Sequence, residues 1–260
     1  MKAIFCGLLS LVLSVSVHAK LVTKTVNYEQ NGTKLTGYLA YDDGVTGKGK
    51  VPGVVVFPEW WGLNGYIKGR ADQLAKMGYI AFAADMYGNG ESTTEPAKAK
   101  ELAGQFYGKP LMAERGQAAL DQLLKTDLVD ENKVAAIGFC FGGSTALALA
   151  YTGAPLTGVV TFHGGLIPPP ADAAQKTKAK FLILHGALDP RVNKEAVDSF
   201  LKSMNDGKFD FQLVEYSGAV HAFSNPDADK AGLDGVSYNA EAAARSWNQM
   251  KVFFDEIFGQ

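Results

Sequence analysis

Cysteine is nearly absent from this chain: its 260 residues hold two, Cys6 and Cys140. A disulfide framework is therefore excluded. Histidine is also scarce, at four residues: His18, His163, His185 and His221. No stretch is strongly basic, and 25 basic residues stand against 27 acidic ones, for a net charge of −2. That balance lacks the cationic, aromatic-interleaved footprint of a nucleic-acid binder, so no nucleic-acid partner is expected. Internal repeats and low-complexity linkers are missing as well. The chain does have 47% hydrophobic residues and 29 glycines, enough for one sizeable α/β core.

The N-terminus reads MKAIFCGLLSLVLSVSVHAK. One lysine precedes an apolar run from Ala3 to Val17, and Val17-His18-Ala19 fits the small-x-small cleavage rule. Residues 1–19 are predicted to be a secretory signal peptide, cleaved after Ala19, with delivery across the inner membrane to the periplasm. The run is too short for a membrane anchor, so no membrane is expected as a partner of the mature form. Cys6 lies too early and too deep in the run to be a lipid-attachment site. Cleavage removes Lys2, leaving 24 basic against 27 acidic residues, a net −3. It also leaves Cys140 as the lone cysteine of an exported protein. Such a residue cannot form an internal disulfide, which points to a reactive thiol.

Cys140 sits in Gly138-Phe139-Cys140-Phe141-Gly142-Gly143, between an apolar β-type run and a small-residue helical run. This frame is a nucleophile elbow with sulfur in place of the usual serine oxygen. The turn is so tight that a Cβ at the flanking glycines would clash with strand or helix. It lifts the side chain off the sheet and aims a helix N-terminus at it, which favours thiolate and oxyanion alike. The other reading of the bare motif is a small buried hydrophobe.

The rest of the chain predicts strand–helix alternation. Val22–Glu29 and Leu35–Tyr41 form an opening hairpin through Asn31-Gly32. Strands follow at Val51–Phe57, Tyr79–Ala84, Lys133–Phe139, Leu156–Phe162, Lys180–Leu184 and Phe209–Tyr216. Helices fall at Ile67–Met77, Ala97–Tyr107, Leu111–Lys125, Gly143–Tyr151, Asn193–Met204 and Ala240–Phe258. Asp42–Lys50 and the Ile167–Pro170 region read as surface loops, so residues 20–260 are expected to form a single domain. The fold class is α/β: a mainly parallel twisted sheet with helices on both faces and working residues at the carboxyl ends of strands.

Two such strand ends carry Asp189 and His221. The order Cys140, Asp189, His221 is the nucleophile–acid–histidine order of an α/β-hydrolase triad. The thiol must lose its proton to attack a carbonyl, and imidazole is the base suited to neutral pH. The carboxylate fixes the imidazole tautomer and stabilises its charged form. Asp189 also fits a turn former before Pro190. His163 and His185 lie in strand-end His-Gly pairs and read as loop geometry. A further strand end carries Phe57-Pro58-Glu59-Trp60-Trp61-Gly62-Leu63-Asn64. That loop supplies an oxyanion amide in this fold, so the backbone N–H groups of Trp60 and Phe141 are the expected pair. Glu59 would point into the cleft, either handling the thiol proton or forming a structural ion pair. Trp60, Trp61, Tyr87 and Phe223 are candidate pocket walls, or ordinary core.

The elbow, the loop at 57–64, Asp85-Met86-Tyr87, the 185–192 segment and His221-Ala222-Phe223 together resemble the dienelactone hydrolase family, over nearly all of the mature chain. The resemblance implies hydrolysis of a lactone or ester through a thioester acyl-enzyme, with no metal or organic cofactor. Its triad falls on Cys140, Asp189 and His221, and its glutamate, linked to control of the thiol proton, on Glu59. Two positions depart from the dienelactone-specific pattern. Asn225 stands where an arginine follows the histidine, and the segment Glu95–Tyr107 offers Lys98 and Lys100 but no arginine. Lysine is no bidentate carboxylate clamp. The expectation is a small-molecule ester or lactone other than dienelactone. The alternatives are a catalytically silent binding protein of the same fold and a hydrolase of another acyl bond.

Overall fold

The computed structural model describes residues 20–47 and 49–259. The expected leader and its cleavage point lie outside the described residues. The chain opens with β1 (Leu21–Gln30) and β2 (Thr33–Asp42), an antiparallel hairpin. Asn31 and Gly32 turn it at φ 49° and 78°, the positive pair that a tight two-residue hairpin needs. Alternation follows: β3 (Val51–Phe57), α1 (Gly65–Lys76), β4 (Ile80–Ala83), α2 (Pro96–Gly104), α3 (Leu111–Leu124), β5 (Val129–Phe139) and α4 (Phe141–Tyr151). Then come β6 (Gly158–Phe162), the one-turn α5 (Ala173–Lys176), β7 (Lys180–Gly186), α6 (Lys194–Asp206), β8 (Phe211–Tyr216) and α7 (Ala240–Phe258).

The strands form one eight-stranded sheet in the order β1-β2-β4-β3-β5-β6-β7-β8. The pairs β1·β2 and β2·β4 are antiparallel, and all the others are parallel. This is the α/β-hydrolase architecture. Central β3 shows why the sheet is covered on both faces. Val55 and Phe57 pack on one side with Leu120 and Leu123 of α3 and Leu147 of α4. Val54 and Val56 pack on the other with Ile67 and Leu74 of α1 and Phe254 of α7. Alternate residues of a strand point to opposite faces, so a continuous apolar run is buried on both.

Several element ends differ from expectation. β5 starts at Val129, not Lys133, because Val51 pairs with Val129 before a register shift to Gly53 and Val134. Pro52 lies at that shift and has no N–H for the ladder. α2 stops at Gly104, leaving Tyr107 in a turn closed by Gly108 at φ 70°. β6 and β8 begin later than expected, at Gly158 and Phe211. α4 begins earlier, at Phe141.

Candidate active site

Every site residue follows the carboxyl end of a strand. β5 ends at Phe139, and Cys140 caps α4 with φ 53° and ψ −114°. A non-glycine residue in that region is strained, and it holds only because its surroundings fix it. Cys140 N–H donates to the Phe162 carbonyl at 3.1 Å, and its own carbonyl accepts from Gly143 N–H at 2.9 Å. A Cβ on Gly138 would enter the backbone of Gly142, and one on Gly142 would enter the carbonyl of Phe57. A Cβ on Gly143 would come within 2.6 Å of Gly164 Cα. The glycine spacing therefore answers to backbone–backbone approach on three sides. Cys140 itself is half-buried.

β7 delivers Asp189 and β8 delivers His221. Asp189 Oδ2 receives a hydrogen bond from His221 Nδ1 at 2.7 Å. Asp189 Oδ1 accepts from Arg191 N–H at 2.8 Å and Val192 N–H at 3.3 Å. So Asp189 shapes its turn and orients the histidine at once. Burial alone would raise its pKa, but the His221 hydrogen bond and charge and the Arg191 amide override it, and the carboxyl lies below its usual range. Burial likewise opposes the charged form of His221. The charge of nearby Cys140, the hydrogen bond to Asp189 and a hydrogen bond with Cys140 overcome this and raise the imidazole to about 10.

Beyond β3, Glu59 is 1% exposed and accepts from Asn225 Nδ2 at 2.6 Å. Asn225 Oδ1 accepts from Asp227 N–H at 2.9 Å, so its amide nitrogen must face Glu59. Burial raises the Glu59 carboxyl to about 7, against the opposing pulls of Asn225, His221 and Arg70. Glu59 forms no ion pair among the described residues. The amides of Trp60 and Phe141 have no hydrogen-bond acceptor among the described residues.

A second polar group lies behind His221. His163, at φ 42°, is fully buried and stands edge-on to the His221 ring at 5.5 Å. Its Nε2 meets Ser224 Oγ at 2.7 Å, and Ser224 Oγ meets Tyr66 Oη at 2.9 Å. Arg70 donates to the Ser224 carbonyl at 2.8 Å and to Tyr66 Oη at 3.4 Å. No local sequence pattern marks this group, and the His-Gly pair at 163 by itself points only to loop geometry.

Glu59, Cys140 and His221 open onto a cavity of about 1060 Å³. Trp60, Trp61 and Asn225 line it, with Tyr66, Tyr107, Phe141 and Leu233. Two expected wall residues do not. Tyr87 turns its hydroxyl onto the Trp60 carbonyl at 2.7 Å and packs its ring on Phe106 and Phe141, so it supports the wall from behind. Phe223 is fully buried, packed against His163 and Tyr216. Lys98 is engaged by Glu101 and Glu91, whereas Lys100, Arg191 and Lys230 reach the cavity wall. Lys230 is paired with Asp227 at 2.6 Å, and Arg191 donates to the Asp234 carbonyl at 3.3 Å. No cluster of metal-ligating side chains occurs among the described residues.

Residues 35–258 match the model of the dienelactone hydrolase family. The chain is 29% identical to a Saccharolobus solfataricus protein named "Putative carboxymethylenebutenolidase", over 90% of this chain and 98% of that one. Among solved structures it superposes with a TM-score of 0.87 on P91, a dienelactone hydrolase-like promiscuous phosphotriesterase from metagenomic libraries. The identity there is 43%, over 91% of this chain and 98% of that chain. A second structure, m3DLH, gives the same TM-score at 39% identity, over 91% and 98% of the two chains. With the family model running from β2 to α7, through the elbow and both loops of the site, the chain belongs to the dienelactone hydrolase family and is an ester or lactone hydrolase.

Proposed function

We propose that this chain is an exported cysteine hydrolase that cleaves a neutral carboxylic ester or lactone through a thioester on Cys140. One observation carries the reading: a strained Cys140 faces the cavity beside a histidine already held by a buried carboxylate at 2.7 Å. Cys140 Sγ, its proton held on His221 Nε2, attacks the carbonyl carbon. The oxyanion that forms is held by the unpartnered N–H groups of Trp60 and Phe141. Collapse breaks the carbon–oxygen bond, and His221 returns the proton to the leaving oxygen. Water then attacks the thioester, giving a proton to His221, and the carboxylic acid leaves as the thiol is restored. Asp189 keeps Nδ1 protonated throughout, so that Nε2 is the working nitrogen.

Glu59 is the group set to control the thiol proton. It is buried, forms no ion pair among the described residues and is raised toward neutrality, so it changes charge near working pH. A neutral substrate near the scissile bond fits Asn225, which puts an amide beside Glu59 where the dienelactone-specific pattern has an arginine. Export rests on the N-terminal apolar leader of residues 1–19.

The test is a panel of 4-nitrophenyl esters, neutral and anionic lactones, and a phosphotriester, assayed with wild type and Cys140→Ala. Cys140→Ala is expected to remove about three powers of ten in kcat/KM or more, with the fold intact by circular dichroism. Residual activity above about one tenth would identify another nucleophile. An anionic lactone is expected to gain less than about tenfold over a neutral ester of similar size, since Asn225 provides no charge-assisted contact. A larger preference would assign the carboxylate to Lys100 or Arg191. Mass spectrometry of periplasmic protein should show a chain starting at Lys20. Retention of residues 1–19 would refute export.

A further inference from the structure

The group behind His221 has a direction. Burial, reinforced by the positive neighbours His221 and Arg70, holds His163 neutral, well below its usual pKa. Neutral imidazole carries one N–H. His163 Nδ1 is buried and makes no hydrogen bond of good geometry, its own carbonyl pulling on the ring only weakly, whereas Nε2 lies 2.7 Å from Ser224 Oγ. A buried N–H without an acceptor costs more than a buried bare ring nitrogen, so the proton is on Nε2 and is donated to Ser224 Oγ. The Ser224 hydroxyl then gives its own proton to the other group in reach, Tyr66 Oη at 2.9 Å.

Tyr66 Oη therefore accepts twice, from Ser224 and from Arg70. Among the described residues no third group lies within hydrogen-bond distance of it. Its own proton has no protein acceptor, and the side chain lines the cavity that holds Cys140. Burial raises the phenol to about 12, so it is a donor at every working pH. Arg70 cannot turn away, because its guanidinium stacks on Trp247, 4.7 Å from the ring centroid, and is tied to the Ser224 carbonyl.

We propose that Tyr66 is a substrate-binding hydroxyl, donating a hydrogen bond to an oxygen of the bound ester or lactone, with Ser224 and His163 holding it in the donating orientation. The inference rests on the reading of this cavity as the substrate site. In a mainly apolar cavity one oriented donor selects substrates that place an oxygen opposite it. Two hydrogen bonds accepted by the phenol oxygen also polarise its O–H, making it a better donor. Tyr66 is the residue that meets substrate, while Ser224 and His163 are positioning residues that act through it.

The experiment compares two reactions at Cys140. One is turnover of a 4-nitrophenyl ester. The other is inactivation by methyl iodide, which reports the thiol but offers no oxygen to bind. Tyr66→Phe is expected to lower ester kcat/KM by about tenfold to a hundredfold while methyl iodide inactivation stays within about twofold. Ser224→Ala should cost about three- to tenfold for the ester alone, and nothing further in a Tyr66→Phe background. Unchanged ester kcat/KM in Tyr66→Phe overturns the proposal, as does a parallel fall in both reactions. A Ser224→Ala penalty of equal size in both backgrounds overturns the positioning role. If Tyr66→Phe does not fold, the same ester-against-methyl-iodide split in Ser224→Ala decides. Failure of methyl iodide to inactivate wild type would refute the cysteine nucleophile and leave the ester comparison to judge Tyr66.

Discussion

The elbow at 138–143 and the segment at 221–225 serve the same cavity and are built by opposite means. The elbow is fixed by what is missing: no Cβ at Gly138, Gly142 or Gly143 could be admitted between strand, helix and neighbouring loop. Few of its side chains make hydrogen bonds. The histidine segment is fixed by what is present. Ser224 and Asn225, adjacent in sequence, reach His163 and Tyr66 in one direction and Glu59 in the other. The first region admits no added bulk at its glycines. The second holds its charge state and orientation through single hydrogen bonds, so it fails by chemistry before it fails by sterics.

That contrast breaks hardest at the elbow. Gly142→Ala puts a methyl group into the backbone of Phe57 and Pro58, where no rotamer change can relieve it. The expected result is loss of about two powers of ten or more in kcat, with stability lowered by about 1–3 kcal/mol. Active-site titration and thermal melting measure both. A variant with wild-type turnover would show that the elbow relaxes and that its glycines are not steric requirements.

On the other side, Glu59→Gln keeps shape and removes the charge. Turnover should fall far more than KM rises, because the altered step is thiol activation, and the pH profile of Cys140 alkylation should change. Stability should move the other way. The folded-state pKa of Glu59, about 7, lies above its reference value of 4.5, so the folded protein holds the extra proton between them. Wild-type stability is then fully present below 4.5 and declines as pH rises through 7. Glutamine does not ionise, so Glu59→Gln should be more stable than wild type at pH 8, by up to about 3 kcal/mol, and gain much less at pH 5. Urea unfolding at the two pH values tests the sign. An equal difference at both would mean that Glu59 is ionised in the folded state across the range.

Asn225→Asp sharpens the same point with a smaller change. The new carboxylate can keep the hydrogen bond from Asp227 N–H but can no longer donate to Glu59. Two carboxyl groups would share one buried site and hold one proton between them. The alkaline limb of the alkylation profile should move up by about one pH unit. No movement would show that Glu59 does not govern the thiol.

The two regions also differ in how far the sequence exposes them. The elbow is local: its glycines, its strand and its helix lie within about twenty residues, and steric exclusion leaves a fixed spacing. The sheet was readable for the same reason, from apolar runs and turn residues. Asp189 and His221 could be placed because each closes a strand in the expected order. The group at Tyr66, Arg70, His163 and Ser224 comes from three separate segments, and its meaning depends on which nitrogen of a buried ring finds a partner. No periodicity encodes that. Tyr87 and Phe223 stayed open between pocket wall and core for a related reason. Each follows a strand end, but Tyr87 spends its hydroxyl on a carbonyl and Phe223 faces the core, a question of side-chain direction that neighbouring residue names do not answer.

The smallest expected effect concerns that tyrosine. Tyr87 Oη donates to the carbonyl of Trp60 at 2.7 Å, on the loop whose Trp60 N–H is read as an oxyanion donor. The loop is therefore fastened by a side chain, as the histidine segment is, although it lies beside the sterically built elbow. Tyr87→Phe removes only the hydroxyl and leaves the ring against Phe106 and Phe141. One neutral hydrogen bond contributes about 0.5–1.5 kcal/mol, so stability should fall within that range. Freed of this tether, the Trp60 amide is held less well where the oxyanion forms. The cost should then appear in kcat, at about two- to tenfold, with KM nearly unchanged, because the amide contact tightens only in the transition state. Steady-state kinetics separate the two parameters. A rise in KM at constant kcat would place the loop in ground-state binding, and it would count the loop among the pocket walls instead of the oxyanion machinery.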